Sequence, residues 1–171
     1  YGKFSGERYF LVYPNNITPT IILYWIYRIA AFLHISEVWT LHIFCFLVTT
    51  ATIFLTYKTA GKLLTKQKQT IILGLMILYI PFQMYSLFYY SDTLMVIMVA
   101  LIIYVLIPSD GSFIFRTKHI VAVAILVAFA WNLRSNIIII LPALIVYLLF
   151  FKWYKNLILL LVTFGIAFVL F

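Results

Sequence analysis

Asp92 and Arg134 are the two residues of this 171-residue chain whose type and setting could do chemistry. Asp92 stands in Tyr90-Ser91-Asp92-Thr93, between the apolar runs 70–88 and 94–107, and Arg134 follows a short apolar stretch that is rich in alanine. A carboxylate in such a place can accept a proton from an attacking hydroxyl or hold a divalent ion. An arginine can bind a phosphate through two parallel hydrogen bonds. Together the two residues would suit a lipid substrate that carries a phosphate and a polar acceptor.

Both residues also have a simpler interpretation. Asp92 lies in a sequence that suits a helix N-cap, and Arg134 can extend from a membrane to the lipid headgroups. Asn132 and Asn136, four residues apart, could simply satisfy the hydrogen bonds of a tight turn. The tyrosines at 89–90 end an aromatic cluster that is typical of a membrane interface, although they could also stack on a sugar or an isoprenoid chain. The residues alone leave these alternatives open.

The composition indicates the elements that must position these side chains. Hydrophobic residues make up 66% of the chain, charged residues 9%, and the mean hydropathy is +1.14. Several segments approach the roughly 20 apolar residues that a membrane-spanning helix needs. We therefore expect a single all-α polytopic membrane domain, with about six transmembrane helices in 38–171 and an outer loop, 1–37, that carries an interfacial helix over 17–33. Because Tyr1 is not an initiator residue and the last residues form an unflanked apolar run, we also expect an internal fragment.

The basic residues predict the topology. The net charge is +8, and eight of the twelve Lys and Arg residues fall in three segments between apolar runs. These eight residues are Lys58, Lys62, Lys66, Lys68, Arg116, Lys118, Lys152 and Lys155. The positive-inside rule places such loops in the cytoplasm, so Asp92 and Arg134 are expected outside. Charge of this kind does not favour nucleic-acid binding.

Local signals add detail to the predicted helices. The lysine-rich loop is expected to follow a helix over 38–57, and Pro81 predicts a kink in the next helix, over 70–90. Asn16 is a suitable N-cap for the interfacial helix, and the alanines of 120–131 suit close helix packing. The single Cys45 cannot form an internal disulfide, and the three histidines show no metal-binding spacing.

The order of these features resembles the multi-spanning glycosyltransferases of the GT-C fold. Tyr13-Pro14-Asn15-Asn16 leads into the interfacial helix, a helix ends in a lysine-rich loop, Tyr90-Ser91-Asp92-Thr93 opens a helix, and Arg134 follows a short alanine-rich one. The resemblance is greatest to bacterial membrane proteins related to the protein O-mannosyltransferases and the aminoarabinose transferases. It covers nearly all of the chain and depends on the order of short motifs.

The resemblance implies a function. Such proteins move a sugar from a polyprenyl-phosphate carrier to a glycan, lipid or protein acceptor on the extracytoplasmic face of the bacterial cell membrane. Asp92 would then be the catalytic carboxylate, acting on the acceptor in an inverting transfer or holding a divalent metal ion, which is the one cofactor implied. Arg134 would stabilise the lipid phosphate, with Tyr90 and Asn16 as further substrate-binding residues. The acidic residue of the family's first outer loop would lie upstream of Tyr1, and Glu7 does not replace it.

A transporter or lipid-flipping protein is the alternative. It would share the hydropathy, the basic loops and an outer Asp and Arg. Transporters often carry internal repeats and place charges near the bilayer midplane. Here the charges stand at helix ends and no convincing repeat is found, which favours the transferase.

Overall fold

The structure is a computed structural model that describes residues 16–108 and 117–170. These residues form helices and short connections without a strand, which agrees with the all-α prediction. The α-helices are α1 (Ile17–Phe32), α2 (Glu37–Leu63), α3 (Lys66–Leu78), α4 (Ile80–Gln83), α5 (Ser91–Leu106), α6 (Thr117–Leu133), α7 (Ile140–Phe150) and α8 (Tyr154–Leu170). Two 3-10 helices, Met84–Ser86 and Ser135–Ile139, precede α5 and α7. The predicted turns at 13–16 and 108–112, Glu7 and Arg116 fall wholly or partly outside the described residues.

Helix α6 is at the centre of the bundle. It packs against α1, α5 and α8. Ala124, Ala128 and Ala130 are fully buried, because small side chains let helix backbones approach closely. Ile102 of α5 and Leu160 of α8 are also fully buried and belong to the same core. The predicted role of the alanines in packing is therefore confirmed.

The outer surface of the bundle is apolar. Many large apolar side chains are exposed; Leu78 and Phe150, for example, are 77% and 79% exposed. A water-soluble protein rarely exposes such an extensive apolar surface. Among the described helices, α2 is long and apolar enough to cross a membrane by itself, and α3 with the helices of 80–86 forms a bent pair that can count as a second span. The other apolar helices are shorter, 10–17 residues. The total of about six membrane-spanning helices stays a prediction.

The kink expected at Pro81 is present. The axes of Lys66–Leu78 and Ile80–Ser86 are bent by 66°, since proline supplies no backbone N–H and its ring disrupts the preceding turn. Gln83 Nε2 donates a hydrogen bond to the carbonyl of Met76 at 2.9 Å. The side chain therefore satisfies one of the carbonyl groups at the end of α3.

The lysine-rich loop, by contrast, was predicted wrongly. Lys58 and Lys62 lie within α2, Lys66 and Lys68 begin α3, and only residues 64–65 connect the two helices. Helix α2 therefore runs past the predicted end at residue 57. Lysine has a high helix propensity, so a charged run does not by itself end a helix.

Helix α1 lies against the end of the bundle where α5 begins. Tyr89, just before α5, donates its hydroxyl to the carbonyl of Pro19 in the first turn of α1 at 2.6 Å. The other end of α1 leads through residues 33–36 directly into the start of α2. The first turn of α1 therefore lies near the start of α5, and its last turn lies near the start of α2. The starts of α2 and α5 are on the same side of the bundle. This placement suits the predicted interfacial helix, whose position relative to a membrane stays a prediction.

Candidate active site

Asp92 and Arg134 form an ion pair. Asp92 is in the first turn of α5, and Arg134 follows the last residue of α6. Arg134 Nη1 lies 3.1 Å from both Asp92 Oδ1 and Asp92 Oδ2, and 3.0 Å from Ser91 Oγ. Because α5 and α6 pack side by side, the start of one helix meets the end of the other. The expectation that the two side chains share one end of the bundle agrees with this geometry.

Asp92 does not cap α5, so the interpretation of this residue as a helix N-cap is wrong. The N-cap position is occupied by Tyr90 and has no side-chain capping bond, and the helix begins at Ser91. Thr93 Oγ1 donates instead to the carbonyl of Phe88 at 3.1 Å. The Asp92 carboxylate near a helix N-terminus still complements the helix dipole, but its hydrogen-bonding partner is Arg134.

Asn132 also differs from the prediction. Its Nδ2 donates to the carbonyl of Ala128 at 3.1 Å, one turn back along α6. The side chain therefore bonds within the helix and does not close a turn with Asn136.

A groove of about 360 Å³ lies beside this ion pair. Its walls come from the start of α1 and from the segment that leads into α5. The lining residues are Asn16, Pro19, Thr20, Leu23, Tyr89, Tyr90, Ser91 and Arg134. Three of the four predicted site residues thus line one groove, and the fourth, Asp92, contacts it through Arg134. Their chemical roles stay predictions.

Tyr89 connects the two walls of the groove. Its hydroxyl bonds Pro19 on the opposite wall, and its ring lies 6.2 Å from that of Phe44 on α2. Burial raises the pKa of the Tyr89 phenol, and the nearby Cys45 adds to this effect. The phenol therefore stays protonated and remains a hydrogen-bond donor through the neutral pH range.

Arg134 keeps donors for a ligand. All three of its contacts use Nη1, whereas a guanidinium has five N–H groups. In the part of the chain that the structure describes, Nη2 and Nε have no protein acceptor. A half-exposed guanidinium that is held on one side and open on the other is suited to bind a phosphate with two hydrogen bonds.

A divalent metal ion does not fit the described residues. Within 16–108 and 117–170, no three His, Cys, Asp or Glu side chains are grouped as a metal site would require. Both Asp92 oxygens already face a guanidinium nitrogen, and a cation placed there would be repelled by Arg134. The described residues therefore offer no site for a metal-dependent step.

Sequence reasoning overlooked three residues that line the groove. Ser91 was read only as part of a cap, yet its Oγ accepts from Arg134. Thr20 and Leu23 were assigned only to an interfacial helix, yet they form the α1 wall. The proximity of Pro19 to the Tyr89-Tyr90 pair could not be read locally, because 70 residues separate the two bonded partners.

Comparison with protein families decides the identity. The family model described as dolichyl-phosphate-mannose-protein mannosyltransferase matches residues 18–171. The chain belongs to this family. No curated protein and no solved structure gave a match. The family match confirms the resemblance to GT-C membrane glycosyltransferases and extends over every helix described above.

Membership in this mannosyltransferase family indicates a glycosyltransferase of the membrane that uses a lipid-linked sugar donor. It therefore favours the transferase over the transporter or lipid-flipping alternative. It also gives the exposed apolar surface an explanation, since proteins of this family are integral to the membrane.

Proposed function

We propose that this protein transfers a sugar from a polyprenyl-phosphate carrier to a hydroxyl-bearing acceptor, and that the groove beside Arg134 holds the reacting groups. The supporting observation is the Arg134 guanidinium, which is held by Asp92 and Ser91 on one side and lines the groove on the other. The reaction would take place on the extracytoplasmic face, opposite the lysine-rich end of the bundle. Mannose is the first sugar to test, because the family description names it.

The proposed chemistry is a single displacement. An acceptor hydroxyl oxygen attacks the anomeric carbon, the bond from that carbon to the phosphate oxygen breaks, and the lipid phosphate leaves with the electron pair. Arg134 stabilises the charge that develops on this phosphate, where a fixed cation acts most strongly. The proton of the acceptor hydroxyl passes to a carboxylate, the role proposed for Asp92. The configuration at the anomeric carbon inverts.

The remaining predicted residues stand on the two walls of the groove. Tyr90 is 62% exposed, so its ring presents a face to a sugar or an isoprenoid chain. Asn16 is at the start of α1 on the other wall, and an amide side chain can both donate to and accept from a sugar hydroxyl. We propose that these two residues bind the donor sugar.

Binding of the carrier tests the role of Arg134 independently of the sugar. The full-length protein would be titrated with polyprenyl phosphate and, separately, with the uncharged polyprenol. We expect Arg134→Gln to weaken polyprenyl phosphate binding by about tenfold or more, since a charged hydrogen bond contributes about 1.5–3 kcal/mol, and to leave polyprenol binding unchanged. Arg28→Gln, an exposed arginine on α1, is the matched control. Equal affinity of Arg134→Gln and wild type for polyprenyl phosphate would overturn this assignment.

Sugar transfer tests the role of Asp92. With polyprenyl-phosphate mannose and a panel of other polyprenyl-phosphate sugars, Asp92→Asn should lower kcat by about 100-fold, the order expected for loss of an acid–base group. Binding of polyprenyl phosphate should change much less. Glu37→Gln is the control, because Glu37 is an exposed carboxylate at the start of α2. Normal turnover by Asp92→Asn would reduce Asp92 to a residue that orients Arg134.

A further inference from the structure

A second groove lies at the opposite end of the bundle, between α2, α3 and α5. It encloses about 250 Å³. Its lining is apolar except for the threonines of α2, and it includes Thr56, Ala60, Leu63, Ile72, Ala100 and Ile107. Leu63 is 46% exposed, so the groove opens on the outer surface of the bundle. Its shape and chemistry suit one hydrocarbon chain.

A fixed cation stands at the edge of this groove. Lys62 Nζ donates to the carbonyls of Tyr104 and Ile107, both at 2.7 Å, and lies 3.5 Å from the centroid of the Tyr104 ring. Ile107 itself lines the groove. An ammonium group has three donors, and the described residues accept from two positions around it. The Tyr104 ring lies against the remaining side of the ammonium, so Lys62 contributes its positive charge at the mouth and not a free donor.

A second lysine is on the same side. Lys68 is exposed in the first turn of α3, four residues before Ile72. Side chains four residues apart lie on one face of a helix, so Lys68 is one turn from the apolar lining, toward the α2–α3 connection. The nearby Lys58 and Lys66 are also exposed. A hydrocarbon groove whose mouth carries several cations complements a lipid with an anionic headgroup.

We propose that this groove binds one anionic phospholipid, with an acyl chain between α2, α3 and α5 and the headgroup phosphate at Lys68, near the positive charge of Lys62. The occupant differs from the sugar donor. Helix α5 has 16 residues and spans about 24 Å, which separates the mouth at Ile107 from the phosphate site proposed at Arg134. The lipid would hold α2, α3 and α5 together, and this role does not depend on the proposed transfer reaction.

Lipid retention tests the proposal. The full-length protein would be purified from membranes with equal amounts of phosphatidylglycerol and phosphatidylcholine, and bound lipid would be counted by native mass spectrometry. We expect wild type to keep phosphatidylglycerol preferentially. Lys68→Gln should lower its affinity about fivefold, since a lysine near a membrane surface contributes about 1 kcal/mol to the binding of anionic lipid. Lys155→Gln, an exposed lysine on α8, should leave retention unchanged.

A groove-filling variant tests the position of the chain. Ala100→Leu adds bulk to the α5 wall and should lower retention of phosphatidylglycerol at least as much as Lys68→Gln, while the variant still elutes as a single species. Equal retention of the two phospholipids by wild type would overturn the anionic site. Unchanged retention by Ala100→Leu would overturn the groove as its location. Recovery of polyprenyl phosphate in place of phospholipid would also overturn the proposal.

Discussion

At the scale of single residues, the Asp92–Arg134 pair is suited to function more than to stability. Each side chain is 37% exposed, and an exposed ion pair contributes about 0–1 kcal/mol because solvent screens it. We therefore expect Asp92→Asn to lower the unfolding temperature by only a few degrees in a detergent melt, although its kcat for transfer should fall by about 100-fold. Unfolding of Asp92→Asn at temperatures far below that of the Glu37→Gln control would instead indicate a structural role.

A second prediction at the scale of single residues concerns Tyr89. Tyr89→Phe keeps the ring against Phe44 but removes the hydrogen bond to Pro19, which contributes about 1 kcal/mol. With the α1 wall less firmly held, we expect KM for the donor to rise severalfold and kcat to change little. Tyr79→Phe is the control, because Tyr79 is 61% exposed and lies between α3 and α4. Equal kinetic effects of the two variants would contradict the role of Tyr89.

The direction of the Tyr89 pKa shift determines the pH range over which the hydrogen bond from Tyr89 to Pro19 is kept. Burial raises the pKa of the folded phenol above its ordinary value, so folding favours the protonated form. The contribution to stability is present below the ordinary pKa of about 10 and is lost as the pH rises through the folded value. Between about pH 6 and pH 9, therefore, the α1 wall should be held equally well, and the Tyr89→Phe effect on KM should be constant.

At the scale of elements, Lys62 joins α2 and α5 at the end of the bundle opposite the candidate active site. The last carbonyls of a helix have no partner within the helix, and Lys62 supplies donors to two of those at the end of α5. Lys62→Met keeps the aliphatic stem but leaves both carbonyls without this donor. We expect a loss of about 1–3 kcal/mol, read as a lower unfolding temperature. Lys58→Met, exposed on the same helix, should have a smaller effect.

The elements also show what local sequence can and cannot predict. The apolar runs predicted most of the helices, because the length of such a run can be read directly from the sequence. Pro81 predicted the kink, because the missing N–H of a proline disrupts the helix within one turn. The lysine run was wrongly predicted to be a loop, although lysine has a high helix propensity. Lys62 in addition finds partners 42 and 45 residues away at the end of α5, which no local pattern shows. The predicted end of α2 at residue 57 was based on the charged residues that follow, whereas the helix continues to Leu63.

At the scale of the whole molecule, the same distinction applies to the site. The charge pattern predicted that Asp92 and Arg134 share one face, and the structure places them in contact across 42 residues. The groove depends in addition on how α1 docks against the segment before α5, which a single contact between Tyr89 and Pro19 helps to fix. No local pattern specifies that docking, so the wall formed by Thr20 and Leu23 could not be predicted.

The orientation of the molecule in the membrane is the prediction on which the location of the reaction depends. Asn136 is exposed beside Arg134, and Lys155 is exposed at the start of α8, at the other end of the bundle. In a Cys45→Ala background, which removes the single native thiol, cysteines would be placed at one position at a time. A membrane-impermeant maleimide should label Asn136→Cys in intact cells, and Lys155→Cys only after permeabilisation.

This labelling pattern follows from two independent features of the chain. Lysines gather at the ends of α2 and α7 and the starts of α3, α6 and α8, and the positive-inside rule assigns that end to the cytoplasm. The ion pair and its groove occupy the other end, because α5 begins there and α6 ends there. Labelling of Lys155→Cys in intact cells, with protection of Asn136→Cys, would show that the molecule has the opposite orientation in the membrane. Transfer would then have to use a carrier and an acceptor on the cytoplasmic side.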